Sequence, residues 1–132
     1  MTMLRFDSHQ DYIGSAAVVP FRLFPPNGVS FTQTALLDTG AFMSFFDRAL
    51  APRLGIADLT AGRPTGLTAA SGEAGQGYSF DLPIEVWGRR LTVPVAFCPA
   101  WPAGTRNLLG MDGFFDQYPC IAFAHASKRI FY

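Results

Sequence analysis

The string Leu36-Leu37-Asp38-Thr39-Gly40-Ala41 delivers a carboxylate from an apolar run directly into a turn. Its glycine and small alanine allow backbone and ligand to approach closely. An acid placed there can take a proton from water or give one to a carbonyl. Taken alone, Asp-Thr-Gly is more often a β-turn whose acid accepts local N–H bonds. A second string, Asn107-Leu108-Leu109-Gly110-Met111-Asp112, lies far downstream, after a glycine-tipped hairpin. Other chemistries find little support. His9 and His125 have no neighbouring ligands at metal-site spacing and read as surface or capping residues, so neither a metal nor another cofactor is expected. Ser44, Ser71 and Cys98 lack a nearby base, and no Gly-x-Ser-x-Gly elbow occurs. Gly75-Gln76-Gly77 lacks the context of a phosphate loop.

In this order the strings resemble the retropepsin-like (retroviral-type) aspartic proteases, in a cellular or bacterial form. Members carry an apolar pair before Asp-Thr/Ser-Gly-Ala/Ser and, later, an apolar pair before Gly-Arg-Asp/Asn. The resemblance runs from about Ala16 to Tyr132, with Ala70-Ser71-Gly72 through Gly77 in the slot of the family's lid. It implies an all-β, single-domain retropepsin-like acid protease β-barrel with one or two short helices, active as a C2 homodimer. Residues 1–12 would form an N-terminal segment and 13–132 the domain. The implied activity is aspartic endopeptidase, acting on an extended, apolar-preferring polypeptide.

The resemblance also assigns roles. Asp38 would be the catalytic acid, Thr39 would hydrogen-bond across the dimer axis, and Gly40 would present its carbonyl to substrate. Leu36, Ala41 and Leu108 would line the cleft, while Ser71 and Gly72 would close over the peptide. For Leu36 and Leu108, plain core packing stands beside that role. The chain departs from viral members by having Phe42 and Met111 where they have an acid and an arginine. The expectation is an apolar contact replacing that ion pair, at no cost to stability because buried ion pairs carry desolvation penalties. Asp112 is expected to hydrogen-bond at a helix start, with Gly113 weakening that start.

Hydrolysis by carboxylates needs one ionised group to activate water and one protonated group to polarise the scissile carbonyl. Two carboxylates about 3 Å apart share one proton and so supply both forms. This sequence has one Asp-Thr-Gly, so the second Asp38 must come from another copy. Two further readings remain: a catalytically silent peptide-binding or dimerisation module of the same fold, and a precursor that dimerises only inside a larger assembly.

The elements that must position these residues are short. Thirteen glycines and ten prolines are spread along the chain, which favours strands over long helices. Ala16 to Phe24 and Val29 to Leu37 read as a hairpin about Pro25-Pro26-Asn27-Gly28. Gly66 to Ala70 and Tyr78 to Leu82 flank a mobile tip, Ser71 to Gly77. Ile84 to Trp87 and Leu91 to Phe97 flank the turn Gly88-Arg89-Arg90. Short helical pieces are expected at Asp47 to Leu54 and Met111 to Gln117, and a last strand within Ile121 to Tyr132.

The chain has 132 residues, 49% of them hydrophobic and 15% charged, which suits one compact domain and excludes disorder as the main state. Ten basic residues balance ten acidic ones, leaving no net charge for nucleic-acid binding. Charge-free stretches such as Leu91 to Thr105 are short and broken by prolines, so no membrane association is expected. Met1 to Gln10 lacks an apolar signal core, and a cytoplasmic location is the expectation. Cys98 and Cys120 are then expected as free thiols among apolar neighbours.

Overall fold

The computed structural model describes residues 3–132. Ten strands carry the fold: β1 (His9–Asp11), β2 (Val18–Leu23), β3 (Phe31–Leu37), β4 (Ser44–Phe45), β5 (Arg63–Thr68), β6 (Ala74–Val86), β7 (Arg89–Phe97), β8 (Leu108–Leu109), β9 (Ala122–Ala124) and β10 (Arg129–Phe131). Alternation decides their faces. In β2, Val19, Phe21 and Leu23 are buried while Pro20 and Arg22 face solvent, as a half-buried strand requires. The main sheet runs β2-β3-β8-β4-β7-β6-β5, and pairing of β2 with β6 closes it into a six-stranded barrel. The all-β class expected from the sequence is the one observed.

Phe21, Phe46, Phe97 and Phe114 are fully buried in the barrel core. The Phe46 ring packs 4.9 Å from Phe21 and edge-on to Phe97 at 6.4 Å. Such tilted and edge-on pairs add to plain burial because ring edges and faces carry opposite partial charge. A smaller cluster of Phe45, Ala96 and Cys98, with Met43, Leu67, Trp101 and Leu108 packed against it, sits to one side. Both cysteines are free.

The first hairpin forms as expected, with Val18 opposite Leu36 and Leu23 opposite Phe31. The third turns one residue early, at Trp87-Gly88, where both φ angles are positive (52° and 74°). A two-residue hairpin loop whose twist matches the strands needs that conformation. Trp87 is held in it by stacking on Tyr132 at 3.9 Å and by donating its indole N–H to Gln10 Oε1 at 2.7 Å.

The short helical pieces form within both expected ranges, as 3-10 turns. Among the described residues there is no α-helix, only single 3-10 turns. Asp47 to Leu54 becomes Arg48–Leu50 and Pro52–Leu54, stopped by Gly55 at φ 79°. Met111 to Gln117 yields only Phe115–Gln117, because Gly113 at φ 80° precedes it and Pro119 follows. Asp112 is exposed and does not cap that turn; the Gly113 N–H instead donates to Asp116 Oδ2. A further turn, Leu59–Ala61, is capped by Asp58.

One expectation needs correction, at the tail. Rather than one strand, β9 and β10 form a hairpin turned at Lys128 (φ 56°), whose N–H donates to His125 O. On its other edge β10 pairs with β1, Gln10 opposite Ile130, making a three-stranded sheet. An Asp11–Arg129 ion pair at 3.4 Å crosses that edge. No helix among the described residues is long and apolar enough to cross a membrane.

Candidate functional site

β8 is threaded between β3 and β4. It runs parallel to β3, with Leu36 opposite Leu108 and Leu37 opposite Leu109, and antiparallel to β4, with Phe45 opposite Leu108. The Asp38 N–H extends this pairing by donating to Leu109 O at 3.0 Å. The chain then reverses. Gly40 N–H donates to Asp38 Oδ1 at 2.9 Å, and Ala41 N–H to Asp38 O at 3.2 Å. One carboxylate oxygen is thereby fixed by its own turn, while Oδ2 has no hydrogen-bond partner among the described residues.

The two strings meet at this turn. Met111 N–H donates to Ala41 O at 2.9 Å, and Asp112 N–H to Phe42 O at 2.7 Å. Gly110 lies against the backbone there: a Cβ on it would stand 2.6 Å from Met43 O and 2.8 Å from Ala41 O. Its N–H donates to the buried Ser44 Oγ at 3.1 Å. Glycine is required at Gly110 by close approach, not by dihedral freedom.

Asn107 joins the strands from beneath. Its side chain is buried, donating from Nδ2 to Thr34 O at 3.0 Å and accepting from Asp47 N–H at 2.8 Å. Asp47 in turn caps the Arg48–Leu50 turn through Oδ1 and accepts Gly104 N–H on Oδ2 at 2.9 Å. A buried amide with two backbone partners holds the register of both neighbours.

Above the Asp38 turn opens a groove of about 770 Å³. Asp38, Gly40 and Ala41 line it, together with the apolar cluster of Phe45, Leu108 and Trp101. Trp101 packs on Phe45 with ring centroids 4.8 Å apart, and its carbonyl accepts from Arg48 Nε at 2.9 Å. The β5–β6 hairpin also lines the groove, from Thr65 to Ala70 with Glu73.

That hairpin is tighter than the sequence suggested. Strand pairing runs out to Thr68 opposite Ala74, and the turn is closed by Gly72 N–H to Ala69 O and Ala69 N–H to Glu73 O, each at 2.8 Å. Gly75 and Gly77 are therefore strand residues, not part of a mobile tip. Their glycines make room: a Cβ at Gly75 would lie 2.9 Å from Cys98 Sγ, and one at Gly77 2.5 Å from Leu67 Cδ1.

Of the residues singled out in the sequence, Asp38, Gly40, Ala41 and Leu108 line the groove. Thr39 is exposed on the turn, Leu36 is half-buried on β3 in register with Leu108, and Ser71 and Gly72 sit at the exposed hairpin turn; none of the four lines the groove. Phe42 is 79% exposed and Met111 44%, so neither is buried as a packed apolar replacement for an ion pair would be; the backbone bonds here join Met111 to Ala41 and Asp112 to Phe42. Asn107, Ser44, Trp101, Glu73 and Arg106 were missed as site residues. Only Asn107 carried a signal, since it opens the second string. No group of three or more His, Cys, Asp or Glu among the described residues could hold a metal ion. No protein-family model matches the chain, and no curated protein matches it.

Proposed function

We propose that this chain is an aspartic endopeptidase of retropepsin type, active as a C2 homodimer in which two Asp38 carboxylates share one proton. The observation that carries the reading is Asp38 itself: held by one oxygen in its own turn, free at the other, and facing an apolar groove of about 770 Å³. A groove of that size bounded by a hairpin suits an extended peptide, whose main chain offers hydrogen bonds and whose alternate side chains seek pockets. The partner's Asp38 would supply the second carboxylate. The ionised member then takes a proton from water while the protonated member polarises the scissile carbonyl.

Asp38→Asn tests this directly. Cleavage of a peptide library should fall by at least about 10²–10⁴-fold, while the dimer seen by sedimentation persists. Wild-type rates should show an acid and a basic limb from the coupled pair. Unchanged cleavage by the variant removes the assignment. Peptide binding without cleavage at any pH from about 3 to 8, the range bracketing carboxylate titration, would favour a silent peptide-binding module instead.

A further inference from the structure

The groove carries one cation that forms no ion pair. Asp38, Glu73 and Arg106 are its ionisable lining residues, and no ion pair joins Arg106 to either acid. Of the other arginines, all but Arg5 are engaged. Arg22, Arg63 and Arg129 are ion-paired, and Arg48 and Arg89 donate to backbone carbonyls. Arg53 and Arg90 lie over the rings of Phe31 and Phe24. Among the described residues Arg106 has no such partner; it is exposed, lines the groove and stands two positions before Leu108.

We infer that Arg106 sets the specificity of the groove, selecting extended peptides that carry an acidic side chain beside their apolar ones. This rests on the protease reading above. A peptide covering the groove strips water from the guanidinium, and that loss is repaid only if the peptide brings a carboxylate. The planar guanidinium donates two parallel hydrogen bonds to a carboxylate, whereas a lysine side chain at the same place is repelled. Phe45, Trp101 and Leu108 supply the adjoining apolar surface. In a twofold dimer each copy contributes one Arg106, so the acid is accepted on either side of the cut.

The test uses short fluorogenic peptides with a central Leu-Phe pair and Glu, Gln or Lys placed at each flanking position in turn. At one position on either side, kcat/KM for Glu should exceed that for Lys by about tenfold, since exchanging Glu for Lys turns an attraction into a repulsion. Added salt should reduce the ratio. Arg106→Gln should abolish it and Arg106→Glu reverse it. A cleaving wild type with no Glu preference overturns the inference, as does a preference unchanged in Arg106→Glu. The same peptides are titrated by fluorescence anisotropy against Asp38→Asn, alone and combined with Arg106→Glu. If wild type cleaves nothing yet binding shows an Arg106-dependent Glu preference, the protease reading fails and acidic-peptide selection stands. Neither cleavage nor binding overturns both.

Discussion

Replacing Gly110 with alanine forces a methyl group into backbone that has nowhere to go. The new Cβ would stand 2.6 Å from Met43 O, 2.7 Å from Met43 C and 2.8 Å from Ala41 O. No flexible side chain can swing aside, so β8 must move away from the Asp38 turn. Overpacking of this kind costs about 1–3 kcal/mol. Displacing the buried Gly110 N–H from Ser44 Oγ adds about 1–3 kcal/mol for an unsatisfied donor. Together Gly110→Ala should lose about 2–6 kcal/mol, a large share of the about 5–15 kcal/mol typical of a domain. Urea unfolding followed by tryptophan fluorescence measures this as a lower midpoint at an unchanged slope. The matched control is Gly66→Ala, where an added Cβ meets nothing within 4 Å, and which should stay within about 0.5 kcal/mol of wild type. If Gly110→Ala unfolds within about 0.5 kcal/mol of wild type, the argument that close approach dictates this glycine is wrong.

Two other perturbations probe the frame around the site. Asn107→Leu keeps the volume but strands Thr34 O and Asp47 N–H, and at about 1–3 kcal/mol for each unsatisfied group it should destabilise by about 2–6 kcal/mol in the same urea assay; an isosteric variant as stable as wild type would show that water replaces the amide. Burial raises the Tyr118 pKa above its ordinary value, against the opposing charge of Arg89, and its hydroxyl is buried without a partner. A raised folded pKa gives stability that is present below the unfolded value of about 10 and is lost as pH rises through the folded value. Tyr118→Phe should therefore leave stability at neutral pH within about 1 kcal/mol and flatten the alkaline loss. A steeper alkaline loss in the variant would contradict the burial argument.

Local patterns announced much of this molecule. Alternating Val19, Phe21 and Leu23, the Pro-Pro-Asn-Gly turn and the two apolar pairs each act within a few residues, and each appears as a strand or turn where expected. The carboxylate at the end of β3 belongs to the same class, because an apolar strand running into Asp-Thr-Gly fixes where the acid emerges. The short helical pieces stay single turns because left-handed Gly55 ends one and left-handed Gly113 delays the start of the other. Gly75 and Gly77 were misread because composition reports a glycine's freedom but not the neighbour that forbids a side chain.

The amino-acid order alone thus determined the β class, the first hairpin and the position of Asp38, since these depend on alternation and turn chemistry between near neighbours. Only the tertiary structure decided that β8 enters between β3 and β4, that Asn107 and Ser44 hold that junction, and that Trp101, Glu73 and Arg106 come to one groove. Those contacts join residues far apart in sequence, and their energy appears only once the barrel has closed and excluded water from between them.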